Sequence, residues 1–141
     1  QNLDTRCFHQ HVGAFYEIHA WYRLEIAGES VLCDPFSSSK SDRCPTGNLK
    51  FYQYANATTK EEIATTYDSS IARATAPNVL GAFNLIHGVY QIKEKRGAAT
   101  QQAFLYFSDQ DDKFDTLLDN ISMTTLETNI CDRNLVRNSD F

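Results

Sequence analysis

The stretch AFYEIHAWYRLEIA, residues 14–27, decides the fold class of this chain. It is rich in aromatic and β-branched residues and contains no Gly or Pro, a composition typical of a β-strand. Side chains alternate along a strand, and here both faces mix apolar and polar groups: Phe15, Glu17, His19 and Trp21 on one, and Tyr16, Ile18, Ala20 and Tyr22 on the other. A strand of this kind suits a sandwich or a barrel with a partly polar lumen.

Further strand candidates follow, separated by residues that favour turns. They are residues 48–55, 63–67, 71–76, 79–87, 89–93 and 101–107. The candidates 79–87 and 89–93 are predicted to be separate strands, broken at Gly88. Residues 34–47 contain two prolines and a serine run and are predicted to form a long loop. About seven or eight short strands with frequent turns favour a sandwich or a barrel.

The pattern changes near the C-terminal end, in residues 111–127. Apolar side chains follow the helical spacing i, i+3, i+4, i+7 at Phe114, Leu117, Leu118 and Ile121. Acidic residues precede them, where negative charge suits the first turn of a helix. The sequence therefore predicts a mostly β protein with one C-terminal helix.

Length and charge limit the classes of function. The chain has 141 residues, which predicts a single domain over residues 1–141, and its net charge of -5 disfavours a nucleic-acid or anionic-membrane partner. Apolar runs all fall short of the roughly 20 residues that a membrane span requires. We therefore expect no nucleic-acid partner and no membrane span.

The cysteines and the sequons predict secretion. Four cysteines, Cys7, Cys33, Cys44 and Cys131, form no Cys-x-x-Cys pair, so two disulfides in an oxidising compartment are expected, with the pairing left open. Asn56 and Asn120 begin N-glycosylation sequons. Because the chain also starts without Met, we interpret it as a mature secreted protein.

Motifs that would indicate catalysis are missing from the sequence. It contains no Gly-x-Ser-x-Gly, no His-Glu-x-x-His and no phosphate-binding glycine loop. His9 and His11 share one face if their segment is a strand, and His19 or His87 could complete a metal site with them, but an exposed N-terminal segment explains the pair better. We therefore predict no catalytic residue, no metal site and no required cofactor.

Aromatic side chains concentrate in the strand candidates and predict a binding pocket. Tyrosine combines an apolar ring with a hydroxyl group that needs a partner when buried, which suits a pocket with an apolar wall and a few polar groups. The candidate ligand-binding residues are Phe15, Glu17, His19, Trp21, Phe51, Tyr52, Tyr54, Phe83, Tyr90, Phe104 and Tyr106.

Gly13-Ala14-Phe15-Tyr16-Glu17-Ile18, with Cys7 upstream, resembles the Gly-x-Trp motif that opens the first strand of lipocalins. Later parts of that family are similar to the segments 47–51 and 71–74, to 102–107 followed by 111–121, and to 134–141. Two features depart from it. Phe15 replaces the family's Trp, and Ser108-Asp109-Gln110 stands where an Arg commonly packs over that Trp.

The resemblance implies an antiparallel, up-and-down, eight-stranded, calycin-like β-barrel with a C-terminal helix, acting as a secreted carrier. Its implied ligand is a lipid, a carotenoid or tetrapyrrole pigment, or a small signalling molecule held in the barrel, with Tyr hydroxyls, Glu17 or His19 fixing its orientation. It also implies that Cys131 pairs with Cys33 or Cys44 and that Cys7 takes the other. A Cys33–Cys44 bridge with Cys7–Cys131 is the competing arrangement.

A second hypothesis assigns the chain to another class. Small secreted disulfide-bonded β domains often act as protein–protein interaction modules, such as inhibitors or immune-type domains, through their loops. The long loop 34–47 would then be the contact site. The sequence leaves open whether the chain forms a homo-oligomer.

Overall fold

The computed structural model describes residues 1–54, 58–59, 63–93, 102–108, 110–127 and 134–136. These residues form one short helix and seven strands: α1 Arg6–Gln10, β1 Phe15–Ile26, β2 Glu29–Ser30, β3 Thr46–Tyr54, β4 Ile63–Arg73, β5 Asn84–Gln91, β6 Gln102–Ser108 and β7 Asp115–Thr125. The prediction of a mostly β protein is confirmed.

The strands form one antiparallel sheet that curls into a half-barrel. The strand order is β2-β1-β5-β4-β3-β6, and β7 pairs with the other side of β1. Long ladders join β1 to both β5 and β7, whereas β4 and β5 pair only at Arg73 and His87. β1 therefore pairs along most of its length with β5 and β7, and only at its C-terminal end with β2, its neighbour in sequence. The β1–β5 pairing departs from a simple up-and-down order.

Two short segments span the space between β6 and β7. Leu3 donates its backbone N–H to Ala103 of β6, and it forms a bridge with Val136 on its other side. Leu135 in turn donates its backbone N–H to Met123 of β7 over 2.8 Å. Chain segments that are far apart in sequence are thus hydrogen-bonded to one another between β6 and β7.

One face of the curled sheet is the core. Every second residue of β1 from Tyr16 to Leu24 is fully buried, as are Leu49 and Phe51 of β3. Phe8 of α1 is also fully buried and lies against the rings of Tyr16 and Phe51. The face of β1 that carries Tyr16 is therefore the inner one.

The predicted C-terminal helix is wrong, because residues 115–125 form β7 along β1. His19 pairs with Ser122 and Trp21 pairs with Asp119, so that two residues of β7 lie opposite Ala20 alone. One of these two, Asn120, has a positive φ of 48°. Leu117 and Leu118 pair with Arg23 and Tyr22 and so lie on opposite faces of β7, and the bulge then shifts the alternation at Ile121. The helix-like spacing therefore comes from apolar residues on both faces of a bulged strand.

The other strand predictions differ in their limits. The predicted strands 63–67 and 71–76 are parts of the single strand β4, which ends at Arg73, and β5 continues through Gly88 instead of breaking there. A Cβ atom at Gly88 would lie 1.9 Å from the carbonyl oxygen of Ile71, so this glycine permits close approach of β4 rather than a turn. Neither α1 nor β2 was predicted from the sequence.

The pairing of the cysteines corrects the arrangement that the lipocalin resemblance implied. Cys33 is bonded to Cys44, with 4.9 Å between their Cα atoms. Cys7 is also disulfide-bonded, and Cys131 lies outside the described residues. The chain brings Cys33 and Cys44 together locally, because Asp34 and Arg43 form a bridge just inside them.

No helix within the described ranges has the length and apolar character needed to cross a membrane.

Candidate functional site

The predicted ligand-binding residues do not lie together on one face of the sheet. Phe51 and Tyr90 belong to the inner face. Phe15, Glu17, His19 and Trp21 lie on the outer face of β1, and Tyr52, Tyr54, Phe104 and Tyr106 lie on the outer face of β3 and β6. Phe83 precedes β5, and its ring lies 5.5 Å from the guanidinium carbon of Arg23. The candidates therefore divide among an interior group and two outer surfaces.

Side chains occupy the inner face at the centre of the curled sheet. The hydroxyl of Tyr16 donates to the sulfur of Cys7 over 3.4 Å, and the hydroxyl of Tyr22 lies 3.4 Å from the sulfur of Cys33. Burial raises the pKa of both tyrosines to about 12. The polar groups of these large side chains therefore already have partners within the protein.

An aromatic depression lies on the outer face of β3 and β6. It is an open hollow of about 350 Å³, lined by Gln1, Lys50, Tyr52, Phe104 and Tyr106. The rings of Tyr52 and Phe104 are nearly perpendicular, with 5.4 Å between their centroids. This edge-to-face pair presents an apolar wall in two orientations.

Polar groups frame the aromatic depression. The ammonium nitrogen of Lys50 lies 5.5 Å from the centre of the Tyr52 ring, within the range of a cation–π contact. The hydroxyl of Tyr106 donates to the carboxylate of Asp68 over 2.7 Å, and that of Tyr54 donates to Gln102. Among the described residues of the lining, Lys50 thus supplies the cationic side chain that can pair with a ligand.

A second cluster of polar groups lies where β1 pairs with β5. His19 and His87 are directly opposed in the ladder, and their rings are 4.9 Å apart. The Nε2 atoms of both lie close to Oε1 of Glu17, at 3.4 Å for His19 and 3.0 Å for His87. We call Glu17, His19 and His87 the histidine cluster. His9 and His11, the pair considered from the sequence, belong to α1 and its C-terminal end instead.

Exposed apolar side chains surround the histidine cluster on the same face. They are Phe15 and Trp21 of β1, Leu85 and Val89 of β5, and Leu117 of β7. Alternation of the strands explains the arrangement, because the residues between the buried positions of β1, together with their cross-strand partners, point outward. The sequence predicted that Phe15, Glu17, His19 and Trp21 share one face of β1, but it did not predict that β5 lies beside them.

Two loops meet at one end of the molecule. Asn78 is buried and accepts a hydrogen bond from the backbone N–H of Cys33 over 2.7 Å, and its amide donates to the carbonyl of Val31 over 2.8 Å. Beside this junction, large apolar side chains are exposed: Leu32, Phe36, Val79 and Leu80. We call residues 33–44 the clipped loop, because the Cys33–Cys44 disulfide joins its ends.

The structure describes the asparagine of one of the two sequons. Asn120 is exposed at the bulge of β7. Asn56 lies outside the described residues.

A larger open groove, of about 540 Å³, runs past residues 118–122, Asn134 and Val136. Among the described residues that line it there is no aromatic ring, so we place the candidate ligand site at the aromatic depression instead.

Comparison of the chain with protein families, with curated proteins and with solved structures finds no match in any of the three. The resemblance to lipocalins therefore remains a prediction.

Proposed function

We propose that this protein is an extracellular binding protein for a small ligand with a flat apolar body and an anionic group. The observation that carries the proposal is the perpendicular pair of Tyr52 and Phe104 in an open hollow beside the ammonium group of Lys50. Small-molecule sites commonly combine an aromatic wall with a few polar groups that fix orientation, and this surface has both.

The physical basis of binding would be burial of apolar ring surface, at about 25 cal/mol per Å² removed from water. A ligand ring packed against the perpendicular rings of Phe104 and Tyr52 would contact the protein on one face and along one edge. Lys50 would pair with the anionic group of the ligand, so that charge sets the orientation and ring contact supplies most of the affinity.

The outer face is a better location than the interior of a barrel. Phe51 is fully buried against Phe8, and Tyr90 donates from its hydroxyl to Ser69 on the inner side. A ligand at that position would have to displace these packed groups, whereas Tyr52, Phe104 and Tyr106 are already accessible. Closure of the sheet into a complete eight-stranded barrel, and membership of the lipocalins, stay predictions.

The test uses anilinonaphthalene sulfonate, a fluorescent probe with a flat apolar body and one negative charge. We expect saturable binding by the wild-type protein and several-fold weaker binding by Tyr52→Ala and Lys50→Ala, because each loses one ring or charge contact. Phe36→Ala is the matched control, since it removes an exposed ring elsewhere. Unchanged binding in the Tyr52 variant, with the melting temperature preserved, would exclude the aromatic depression as the site.

The extracellular part of the proposal rests on the disulfide between Cys33 and Cys44, which suits an oxidising compartment. Expression through a secretory pathway tests it together with the sequons. We expect secretion of an oxidised protein whose mass falls when its N-glycans are removed. This loss of mass should be smaller in Asn120→Gln, because one of the two sequons is then absent. Retention of the chain in reduced form inside the cell would contradict secretion.

Protein recognition through the clipped loop is the second candidate function. It is favoured by a specific observation, the exposure of Phe36 in the clipped loop and of Val79 in the neighbouring loop, which are 75% and 64% accessible to solvent. Arg43 also orders the loop, because its guanidinium donates to the carbonyl oxygens of Ser37 and Ser38. A rigid loop with exposed apolar side chains is a common contact element.

Affinity capture from the extracellular fluid of the source tissue separates the two candidates. The double variant Phe36→Ser, Val79→Ser should lose a specific protein partner if the loop is the contact site, while Tyr52→Ala should retain it. Equal capture by the wild type and the double variant would contradict protein recognition through this end.

A further inference from the structure

The histidine cluster lies on the outer face of β1 and β5 and has no part in the binding functions proposed above. Glu17 and His19 are two residues apart on β1 and so point to the same side of the sheet. His87 is the direct cross-strand partner of His19 and joins them there. One carboxylate and two imidazoles thus converge from two strands.

We propose that Glu17, His19 and His87 bind a divalent transition-metal ion, with Zn²⁺ as the ion that suits them best. In a tetrahedral zinc site with bonds of about 2.0–2.1 Å, neighbouring ligand atoms are about 3.3 Å apart. The two Nε2 atoms lie 3.4 and 3.0 Å from Oε1 of Glu17. Two edges of the required tetrahedron are therefore already present.

The third edge, between the two histidines, needs only a small adjustment. All three ligand atoms lie within 4.8 Å of one another. The three side chains keep between 33% and 42% of their surface accessible, so the imidazoles have room to rotate. The same accessibility lets an ion enter from solvent and leaves a fourth position to water.

The ligand set selects the kind of ion. Two imidazole nitrogens and one carboxylate oxygen suit zinc and other first-row transition metals, whereas Ca²⁺ and Mg²⁺ prefer oxygen ligands. The carboxylate also supplies negative charge next to the cation. A hydrogen bond between His87 and Glu17 explains one contact but not why His19 approaches the same oxygen atom.

The backbone holds the ligands in place before an ion binds. β1 is hydrogen-bonded on both sides at this level, with β5 on one and β7 on the other. Gly88, next to His87, lies directly against the backbone of Ile71 and Ala72. The two strands therefore fix the Cα atoms of the cluster, and only side-chain torsions remain to be set on binding.

The protein carries its own reporter for this site. Trp21 is the only tryptophan of the chain, and it lies two residues beyond His19 on the same face. We expect Zn²⁺ to change the fluorescence of Trp21 with saturation at one ion per chain, and isothermal titration calorimetry to give the same stoichiometry. His19→Ala and His87→Ala should each lower the affinity by about tenfold or more, since even residues that only support a ligand cost that much.

Matched controls make the test specific. His11→Ala removes a histidine outside the cluster and should leave the zinc affinity unchanged, and Glu17→Gln should weaken binding while it keeps the shape of the side chain. Circular dichroism and the melting temperature verify that each variant is folded. The proposal is overturned if the wild type gives no saturable zinc binding, or if the double variant His19→Ala, His87→Ala binds zinc as tightly as the wild type.

Discussion

The ring of Phe8 stands at 88° to the ring of Tyr16, with 5.2 Å between their centroids. On its other side Phe8 lies 6.0 Å from the ring of Phe51, so one side chain of α1 joins β1 to β3 across the concave face of the sheet. A curled sheet of this kind encloses space that must be filled by a side chain or a ligand. Here Phe8 fills it.

Replacement of Phe8 by Ala is expected to lower the free energy of unfolding by about 3–5 kcal/mol, the usual range for loss of a fully buried aromatic side chain. Chemical denaturation followed by circular dichroism measures the change. Phe8→Leu should cost less, because it retains most of the buried apolar volume. Phe36→Ala is the control, and as an exposed position it should change stability by less than about 0.5 kcal/mol. A small loss in Phe8→Ala would mean that Phe8 does not fill the core.

Gly88 is expected to tolerate no side chain. A Cβ atom there would meet the carbonyl oxygen of Ile71 at 1.9 Å and the Cα of Ala72 at 2.7 Å, both of them backbone atoms that cannot turn aside. Gly88→Ala should therefore destabilise the protein by at least about 1–3 kcal/mol, or prevent folding. Denaturant unfolding measures it beside Val89→Ala, a change at the next, exposed position. Equal stability of the two variants would contradict the close approach of β4 and β5.

The fold could be predicted from local pattern wherever alternation was uninterrupted. β1 was located to within a residue at each end, because its buried and exposed positions alternate over its whole length. The pattern failed at β7, where the bulge at Asn120 breaks the alternation, and at Gly88, where a glycine that looks like a turn signal serves close packing. Both failures depend on a neighbouring strand, which local sequence does not reveal.

The site could be predicted only in part, for a related reason. The sequence indicated that Glu17 and His19 share a face, because that follows from their spacing on one strand. It did not place His87 beside them, because that requires the register between β1 and β5. Tyr52 and Phe104 were named as ligand-binding residues, but the sequence did not show that Phe8 would fill the interior and leave them outside.

Tyr16 and Tyr22 are expected to make the protein sensitive to alkaline pH. Burial raises the pKa of each phenol to about 12, whereas an exposed tyrosine in the unfolded chain titrates near 10. The folded state then holds the proton more tightly, so the stabilisation is fully present below about pH 10 and is lost as the pH rises towards about 12. Unfolding free energies measured across this range should fall.

The phenol groups can be assigned by substitution. In Tyr16→Phe and Tyr22→Phe the fall between about pH 10 and about pH 12 should be shallower, since each removes one group with a raised pKa. Tyr52→Phe is the control, because its ring lies in the accessible depression. A fall that is equally steep in all three variants would show that the two buried phenols are not its cause.

Asn78 is expected to be the residue that holds the two exposed loops together. Its side chain is 5% accessible, accepts from the backbone N–H of Cys33 and donates to the carbonyl of Val31. Asn78→Ala leaves both backbone groups without this partner, and burial of an unpaired donor costs about 1–3 kcal/mol. Asn78→Asp keeps the acceptor but places a buried carboxylate oxygen against the carbonyl oxygen of Val31, so at neutral pH it should destabilise the protein at least as much as Asn78→Ala. Hydrogen-exchange measurements should show faster exchange of the Cys33 amide in Asn78→Ala. Asn84→Ala is the control: it removes hydrogen bonds within residues 79–84 and should leave the Cys33 amide protected. Unchanged protection of Cys33 in Asn78→Ala would mean that the disulfide alone positions the clipped loop.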